Sequence, residues 1–139
     1  MIRNLIWSLC FFLSTIIFCN CSPGLQFDAT AYQRDTAIER KALQIVKNTS
    51  HDYSMHAAEI EALKNDIDIA LAEEKKRKNN QATVKMWEAV QKDKGNLYDL
   101  FELWKANGKV SDAIAADIVK KIERLLGSIT ELENFKNKS

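Results

Sequence analysis

Proline is absent after Pro23, and only three glycines follow Gly24, at positions 95, 108 and 127. Proline and glycine are the residues that most disfavour helix interiors, whereas the Ala, Leu, Ile, Glu and Lys that dominate here form helices well. This region contains neither a Gly-rich phosphate loop nor the period-two alternation of a half-buried strand. The sequence therefore predicts an all-α protein that is helical almost throughout.

Apolar residues recur at steps of three and four in three long segments. The first runs from about 28 to 79, the second from about 83 to 106, and the third begins after Ser111. The clearest apolar seam lies in the third segment, at Ala115, Ile118, Ile122, Leu125, Ile129 and Leu132, and Val119 and Leu126 widen it. Short connections at 79–82 and 107–110 favour antiparallel neighbours. We predict an antiparallel up-down bundle of three long helices.

Several positions could interrupt or end these helices. Asn48-Thr49-Ser50 is weakly helical, and one of its hydroxyls could cap a new start. Residues 28–47 would then form either a fourth, N-terminal helix or an extension. Gly95-Asn96 could break the second helix, and Asn107-Gly108 should end it, because glycine adopts the left-handed cap conformation without strain. Ser111 should cap the third helix.

The first 24 residues differ in character from the rest. Arg3 precedes an apolar run from Leu5 to Cys19. A membrane-spanning helix needs roughly 20 apolar residues, so this shorter run is interpreted as the core of a secretory signal peptide. All three cysteines of the chain, Cys10, Cys19 and Cys21, lie in or beside it. Cleavage before Cys21 would leave no cysteine pair, and core packing alone would hold the chain.

The stretch Phe18-Cys19-Asn20-Cys21 resembles the lipobox of bacterial lipoproteins, whose signals are cut immediately before an acylated cysteine. That family prefers Leu, a small residue, then Gly or Ala before the cysteine, so Phe18 and Asn20 depart from its pattern. The resemblance covers the first 21 residues. It implies that Cys21 is the lipid attachment site and carries fatty acyl chains such as palmitate. The domain plan is then a removed signal peptide at 1–20, a lipid tether at 21–27 and a single helical bundle at 28–139.

Two alternatives to this anchored, self-contained bundle remain open at this point. Cys19 and Cys21 could be tolerated near a conventional cleavage site, which would leave a non-lipidated secreted or periplasmic helical bundle. Residues 28–79 could instead form an intermolecular coiled-coil stalk.

The charge balance excludes a general polyanion binder. Of 20 Lys and Arg residues only Arg3 lies in the signal, and all 19 Asp and Glu residues follow it, so the mature chain has 19 − 19 = 0 net charge. A nucleic-acid partner is disfavoured on this ground. The run Lys75-Lys76-Arg77-Lys78 is interpreted as a solvated helix end, with an anionic membrane surface as the alternative.

The candidate chemistry is sparse. His51, Met55 and His56 offer nitrogen and sulfur ligands for copper or zinc. On a continuous helix, however, the two histidines would lie about 500° apart and would not share a face. Packing is the preferred interpretation, so we predict no metal site and no cofactor, and metal or small-ligand binding through these three residues is kept as the weaker alternative. No set of nucleophile, base and acid has both the residue types and the spacing that catalysis needs, so we predict no catalytic residues and no enzyme.

Large aromatic residues mark the face of the second segment. Trp87, Phe101 and Trp104 fall on one side together with Val90 and Leu97, and Tyr98 lies beside them. Their periodicity predicts core packing, with an interface as the alternative. We expect a lipid-anchored protein of the cell envelope, held at the membrane by its N-terminus. It would act as a binding, structural or assembly-accessory module for an unknown envelope protein.

Overall fold

A computed structural model of the chain describes residues 26–138. The predicted signal peptide, the beginning of the tether and Cys21 lie outside the described residues. Within 26–138 the chain is all-α, as predicted, and contains no strand. It forms α1 (Ala29–Val46), a 3₁₀ turn (Tyr53–Met55), α2 (Ala57–Lys76), α3 (Gln81–Lys92), α4 (Leu97–Asn107) and α5 (Asp112–Lys136).

The finer prediction of three long helices is not confirmed, because two of the three segments are divided. Residues 47–56 separate α1 from α2, so the structure has the fourth, N-terminal helix that was one of the two alternatives. Residues 93–96 separate α3 from α4, and Gly95 lies in this break with a φ of 75°.

Most of the expected helix ends are present, with different capping groups. Asn79 has a φ of 58° just after α2, and Gly108 has a φ of 72° just after α4. Asp28 caps α1, its Oδ1 accepting hydrogen bonds from Thr30 N at 2.8 Å and Ala31 N at 3.2 Å. Ser111 occupies the N-cap position of α5, as predicted, but its hydroxyl makes no cap hydrogen bond to the first turn.

No hydroxyl of the Asn48-Thr49-Ser50 stretch caps the helix that follows α1. Thr49 Oγ1 donates to the carbonyl of Val46 at 3.2 Å, and α2 begins only at Ala57. The predicted cap at Thr49 or Ser50 is therefore wrong. Thr49 instead lies buried in the loop between α1 and α2.

One hydrophobic cluster takes residues from all five helices. Trp87, Phe101 and Trp104 are its largest members and are fully buried, which confirms their predicted place in the core. The α5 seam is rotated slightly from the prediction. Ala115, Ile122 and Ile129 are buried, whereas Ile118, Leu125 and Leu132 are half-buried and Leu126 is buried in their place.

Helix α1 packs against both α2 and α5. Arg34 pairs with Glu74 and Lys41 pairs with Asp66, so α1 and α2 run in opposite directions. The beginning of α1, the end of α2, the beginning of α3 and the end of α5 meet at one end of the molecule, here called the charged end. Within residues 26–138 no helix combines the length and the apolar character needed to cross a bilayer.

The opposite end, here called the loop end, is formed by residues 47–56 and 108–111. Val110 N donates to Thr49 O at 2.8 Å, and Tyr53 N donates to Gly108 O at 2.8 Å. The indole Nε1 of Trp104 donates to His51 O at 2.9 Å. These three bonds fasten the two loops to each other and to α4.

Candidate functional site: a buried charge network

Four charged side chains occupy core positions at the charged end. Asp35 is 1% exposed, Glu74 and Glu133 are 0% exposed, and Lys136 is 5% exposed. Ionisable side chains are rarely buried unless they are paired and hydrogen-bonded, because removing a charge from water is costly. These residues and their partners, Arg34, Arg77, Asn80 and Thr83, are here called the charge network.

Arg77 is the centre of the network. Its Nη1 and Nη2 donate to Glu133 Oε2 and Oε1 at 3.0 and 2.7 Å, a two-bonded guanidinium–carboxylate pair. Nη1 also donates to Glu74 Oε2 at 2.9 Å. One guanidinium therefore compensates two buried carboxylates, which its planar fork of donors suits better than a lysine would.

The remaining cations complete the charge balance. Arg34 Nη2 pairs with Asp35 Oδ1 at 2.9 Å and also with Glu74. Lys136 pairs with Glu133, and its Nζ donates to Asn80 Oδ1 at 2.7 Å. Three carboxylates thus meet three cations.

Two polar side chains close the network on the α3 side. Asn80 Nδ2 donates to Glu74, and Thr83 Oγ1 donates to Asn80 Oδ1 at 3.0 Å. Lys136 Nζ also donates to Thr83 Oγ1 at 3.3 Å. The beginning of α3 is thereby joined to the end of α5.

Asp35 and Glu133 respond to burial in opposite ways. Burial raises the pKa of Asp35 to about 6, only partly offset by Arg34, and the negative charges of Glu74 and Glu133 add to the rise. Asp35 Oδ2 has no hydrogen-bond partner among the described residues. Burial would also raise the pKa of Glu133, but hydrogen bonds from Arg77 and Lys136 outweigh it and hold that pKa below its usual value. The number of donors decides the direction.

The network also holds the first described residues. Arg77 Nη2 donates to the carbonyl of Gln26 at 2.7 Å, and Glu133 Oε1 accepts from Asp28 N at 2.8 Å. The chain therefore enters α1 from a fixed point on the buried cluster.

A shallow cleft of about 310 Å³ opens beside the network. Buried Glu74 and Asn80, together with Arg77, reach its wall, and the rest is formed by Lys75, Gln81, Val84, Lys85 and Glu88. The carboxylate of Glu74 already accepts hydrogen bonds from Arg34, Arg77 and Asn80. Its lone pairs are thus engaged within the protein, and the arrangement serves to position chain segments.

The interpretation of the basic run as a solvated helix end holds for its three lysines, which are exposed, and is wrong for Arg77. Lys75 and Lys76 are exposed and pair with Glu88 and Glu73 on the surface. Arg77, with a side chain only 19% exposed, turns into the network. Burial lowers the pKa of Arg77, but its pairing with Glu133 and Glu74 outweighs this and raises it, so the group stays charged.

The sequence does contain a signal for the charge network: charged residues stand at positions that continue the apolar seams of the helices. Asp35 continues the spacing of Ala31, Ile38 and Ala42, and Glu74 continues that of Leu63, Ile67 and Ala70. Glu133 and Lys136 extend the series Ile122, Leu126 and Ile129. Charged residues at core positions of three helices, all near one end of the bundle, indicate a buried ionic cluster.

The two histidines lie closer together than the helical spacing predicted. Their ring centroids are 6.2 Å apart, and the His56 ring is 5.4 Å from that of Trp104. The helical argument that separated them is wrong, because residues 47–56 form a loop and a 3₁₀ turn. Met55 is 74% exposed. Within the described part of the chain, no group of three or more His, Cys, Asp and Glu side chains is arranged to hold a metal ion.

His56 has an incomplete set of contacts. Its Nδ1 is buried and has no hydrogen-bond partner within residues 26–138. Glu59 Oε2 lies 3.5 Å away, and the two form an ion pair only when the ring is protonated. Tyr98 is half-buried beside the core and donates its hydroxyl to Lys64 O at 3.2 Å. Burial and the charge of Asp68 raise the pKa of Tyr98 to about 12.

The features that define this molecule are an all-helical fold, a buried charge network at one end and a fastened pair of loops at the other. No family model matches the chain, and no curated protein or solved structure is significantly similar to it. The candidate site is therefore defined by the contacts of this chain alone.

Proposed function

We propose that this chain is a lipid-anchored protein of the bacterial cell envelope, attached to the membrane through Cys21. It acts without catalysis, as a binding, structural or assembly-accessory module for another envelope protein. The lipobox-like stretch that ends at Cys21 motivates the anchor. The sparse catalytic constellations of the sequence motivate the non-enzymatic role.

The observation that carries the proposal is the fixed entry of the chain into α1. Gln26 and Asp28 are bound to Arg77 and Glu133, and these two side chains belong to the buried network. A tether that ends on such a cluster transmits the position of its lipid to the whole bundle. A tether that ended in an unattached loop would leave the bundle free to rotate.

The complete up-down order of the helices is part of the proposal. The pairs Lys75–Glu88 and Asp68–Gln91 support opposite directions for α2 and α3. Helices α3 and α4 together take the place of one long helix. In this arrangement the loop end lies about 30 Å from the charged end, the length of the 20-residue α2. It would face away from the membrane, where a protein partner could reach it.

Intact mass measurement of the mature protein from a bacterial host tests the anchor. We expect a chain that begins at Cys21 and is heavier by a diacylglyceryl group, with or without a further acyl chain. Cys21→Ser is the control and should lose the added mass and the membrane fraction. A mature chain that begins at Ser22 or later without lipid would overturn the anchor and favour the non-lipidated exported bundle.

Cross-linking in intact membranes tests the binding role. A photoreactive residue at Met55, in the loop end, should cross-link to an envelope protein, whereas one at Ala72, an exposed position near the other end of α2, serves as the control. Equal labelling at both positions would count against a partner at the loop end.

A further inference from the structure

The charged end must lie close to any membrane that holds Cys21. Five residue steps separate Cys21 from Gln26, and a fully extended chain of that length spans roughly 18 Å. Gln26 is held by Arg77, so this reach is measured from a fixed point on the bundle. The surface around that point is therefore held no more than roughly 18 Å from the bilayer, close enough to reach the headgroups.

The exposed residues at this end are suited to an anionic bilayer surface. Lys136 bonds to Asn80 at 2.7 Å, which brings the ends of α5 and α2 together. Lys78 and Lys138 follow these two ends, are exposed, and have no ion-pair partner among the described residues. Phe135, in the last turn of α5, is 62% exposed.

The nearby carboxylates do not cancel these lysines. Glu73 is paired with Lys76 at 2.8 Å, and this pairing lowers the pKa of Glu73. Asp28 is bound to the first turn of α1 as its cap. Exposed Glu131 does not neutralise Lys138, because it lies more than one helical turn before Lys136 and further still from Lys138.

We propose that the charged end of the bundle docks directly on anionic phospholipid headgroups, through Lys78 and Lys138 with Phe135 at the bilayer surface. This inference rests on the proposed lipid anchor at Cys21. Docking fixes the orientation of the bundle, with the loop end directed away from the membrane. The contact works within a tethered molecule, so a weak attraction suffices, because a short tether keeps the local concentration high.

Fluorescence quenching by headgroup-labelled lipid in vesicles tests the docking with the full mature lipidated protein. Cys10 and Cys19 would be removed with the signal and Cys21 acylated, so an introduced cysteine would be the single free thiol. A fluorophore at Asn137→Cys reports the charged end, and one at Met55→Cys reports the loop end. The vesicles are phosphatidylcholine alone or equimolar phosphatidylcholine and phosphatidylglycerol, each with headgroup-labelled quencher lipid.

We expect strong quenching at position 137 and little at position 55, in the anionic vesicles. Neutralising both lysines, Lys78→Gln with Lys138→Gln, should lower the ratio of docked to undocked bundles by about 25-fold, roughly fivefold per lysine. The matched control, Lys47→Gln with Lys105→Gln, removes the same charge from exposed positions of the opposite end and should leave quenching unchanged.

Three results would overturn the inference in distinguishable ways. Vesicle-bound protein with equal quenching at positions 137 and 55 would refute docking and leave the anchor standing. Equal quenching at position 137 in neutral and anionic vesicles would refute recognition by charge. If the mature protein carries no lipid and does not float with the vesicles, the anchor is refuted, and the docking that rests on it is refuted too.

Discussion

Arg77 and Glu133 are joined by two hydrogen bonds, at 2.7 and 3.0 Å, although 56 residues separate them in the chain. The carboxylate of Glu133 is fully buried and the guanidinium of Arg77 is mostly so. The pair connects the end of α2 to the end of α5 and, through Gln26 and Asp28, to the beginning of α1. Three distant parts of the sequence are thus held by one ionic contact.

Removal of Arg77 should destabilise the fold strongly. Arg77→Ala leaves the Glu133 and Glu74 carboxylates buried with less compensation, and breaking a buried pair in this way costs about 3–5 kcal/mol. Urea unfolding at neutral pH measures the loss. Lys76→Ala, next to it in the same run, removes only a surface pair and should leave the unfolding midpoint nearly unchanged. Similar effects of the two substitutions would show that the buried pair contributes little.

Asp35 should contribute more to stability in mild acid than at neutral pH. Its pKa is raised from 3.8 to about 6, so the folded state binds a proton more tightly than the unfolded state does. The resulting stabilisation is complete below about pH 3.8 and is lost as the pH rises through 6, a change of about 3 kcal/mol. Asp35→Asn cannot titrate. The stability of wild type minus that of the variant should therefore fall between about pH 4 and pH 7 in urea titrations.

Glu133→Gln provides a control of opposite sign for that measurement. The pKa of Glu133 is lowered, so its ionised form stabilises the fold above the unfolded-state pKa, and this contribution is lost as the pH falls. The stability of wild type minus that of Glu133→Gln should rise with pH. If both stability differences changed with pH in the same direction, the raised pKa of Asp35 and the lowered pKa of Glu133 would be contradicted.

The two buried tryptophans should differ in their response to the same substitution. Both are 0% exposed, but Trp104 Nε1 donates to His51 O whereas Trp87 Nε1 has no hydrogen-bond partner among the described residues. Replacement by phenylalanine removes similar volume at each site. Only Trp104→Phe also breaks a hydrogen bond, which adds about 0.5–1.5 kcal/mol to the loss. Equal losses in urea unfolding would show that the His51 bond contributes nothing.

The helical class and the aromatic core followed from the sequence because they depend on local periodicity. Trp87 lies on the apolar face of α3, and Phe101 and Trp104 lie on that of α4, so each face is visible in the local spacing whether or not the two helices are joined. The division of the helices was harder to predict, because Gly95 and Asn48 are tolerated within some helices and are breaks in others. Tertiary contacts accompany the break here, since Thr49 is buried in the loop and its carbonyl accepts a hydrogen bond from Val110 N.

Gly108 and Gly127 should respond in opposite directions to alanine. Gly108 has a φ of 72°, a conformation that costs an L-residue about 1–2 kcal/mol, although an added Cβ would meet nothing within 4 Å. Gly127 lies within α5, where an added Cβ would be 3.6 Å from Glu39 Oε1 in ordinary contact. Gly127→Ala should therefore stabilise by about 0.5–1 kcal/mol. Thermal unfolding should show a lower melting temperature for Gly108→Ala and a higher one for Gly127→Ala. A lower melting temperature for both variants would refute the predicted stabilisation at Gly127.

The charge network was missed because a local view of each charged residue is unremarkable. Lys75 to Lys78 look like any basic helix end, and Glu133 with Lys136 looks like a surface pair three residues apart. Only the alignment of these positions with the apolar seams distinguishes them from solvated charges. The face argument for His51 and His56 failed for a related reason, since it assumed a continuous helix where the chain forms a loop.

The fastened loops give the loop end a composite surface. Thr49 and Val110 share a backbone hydrogen bond, as do Tyr53 and Gly108, so two segments more than fifty residues apart form one conformational epitope. A molecule that recognises this end reads both segments at once. A synthetic peptide copied from either segment alone would lack half of the determinant. A ligand selected on the folded protein would therefore not bind such a peptide.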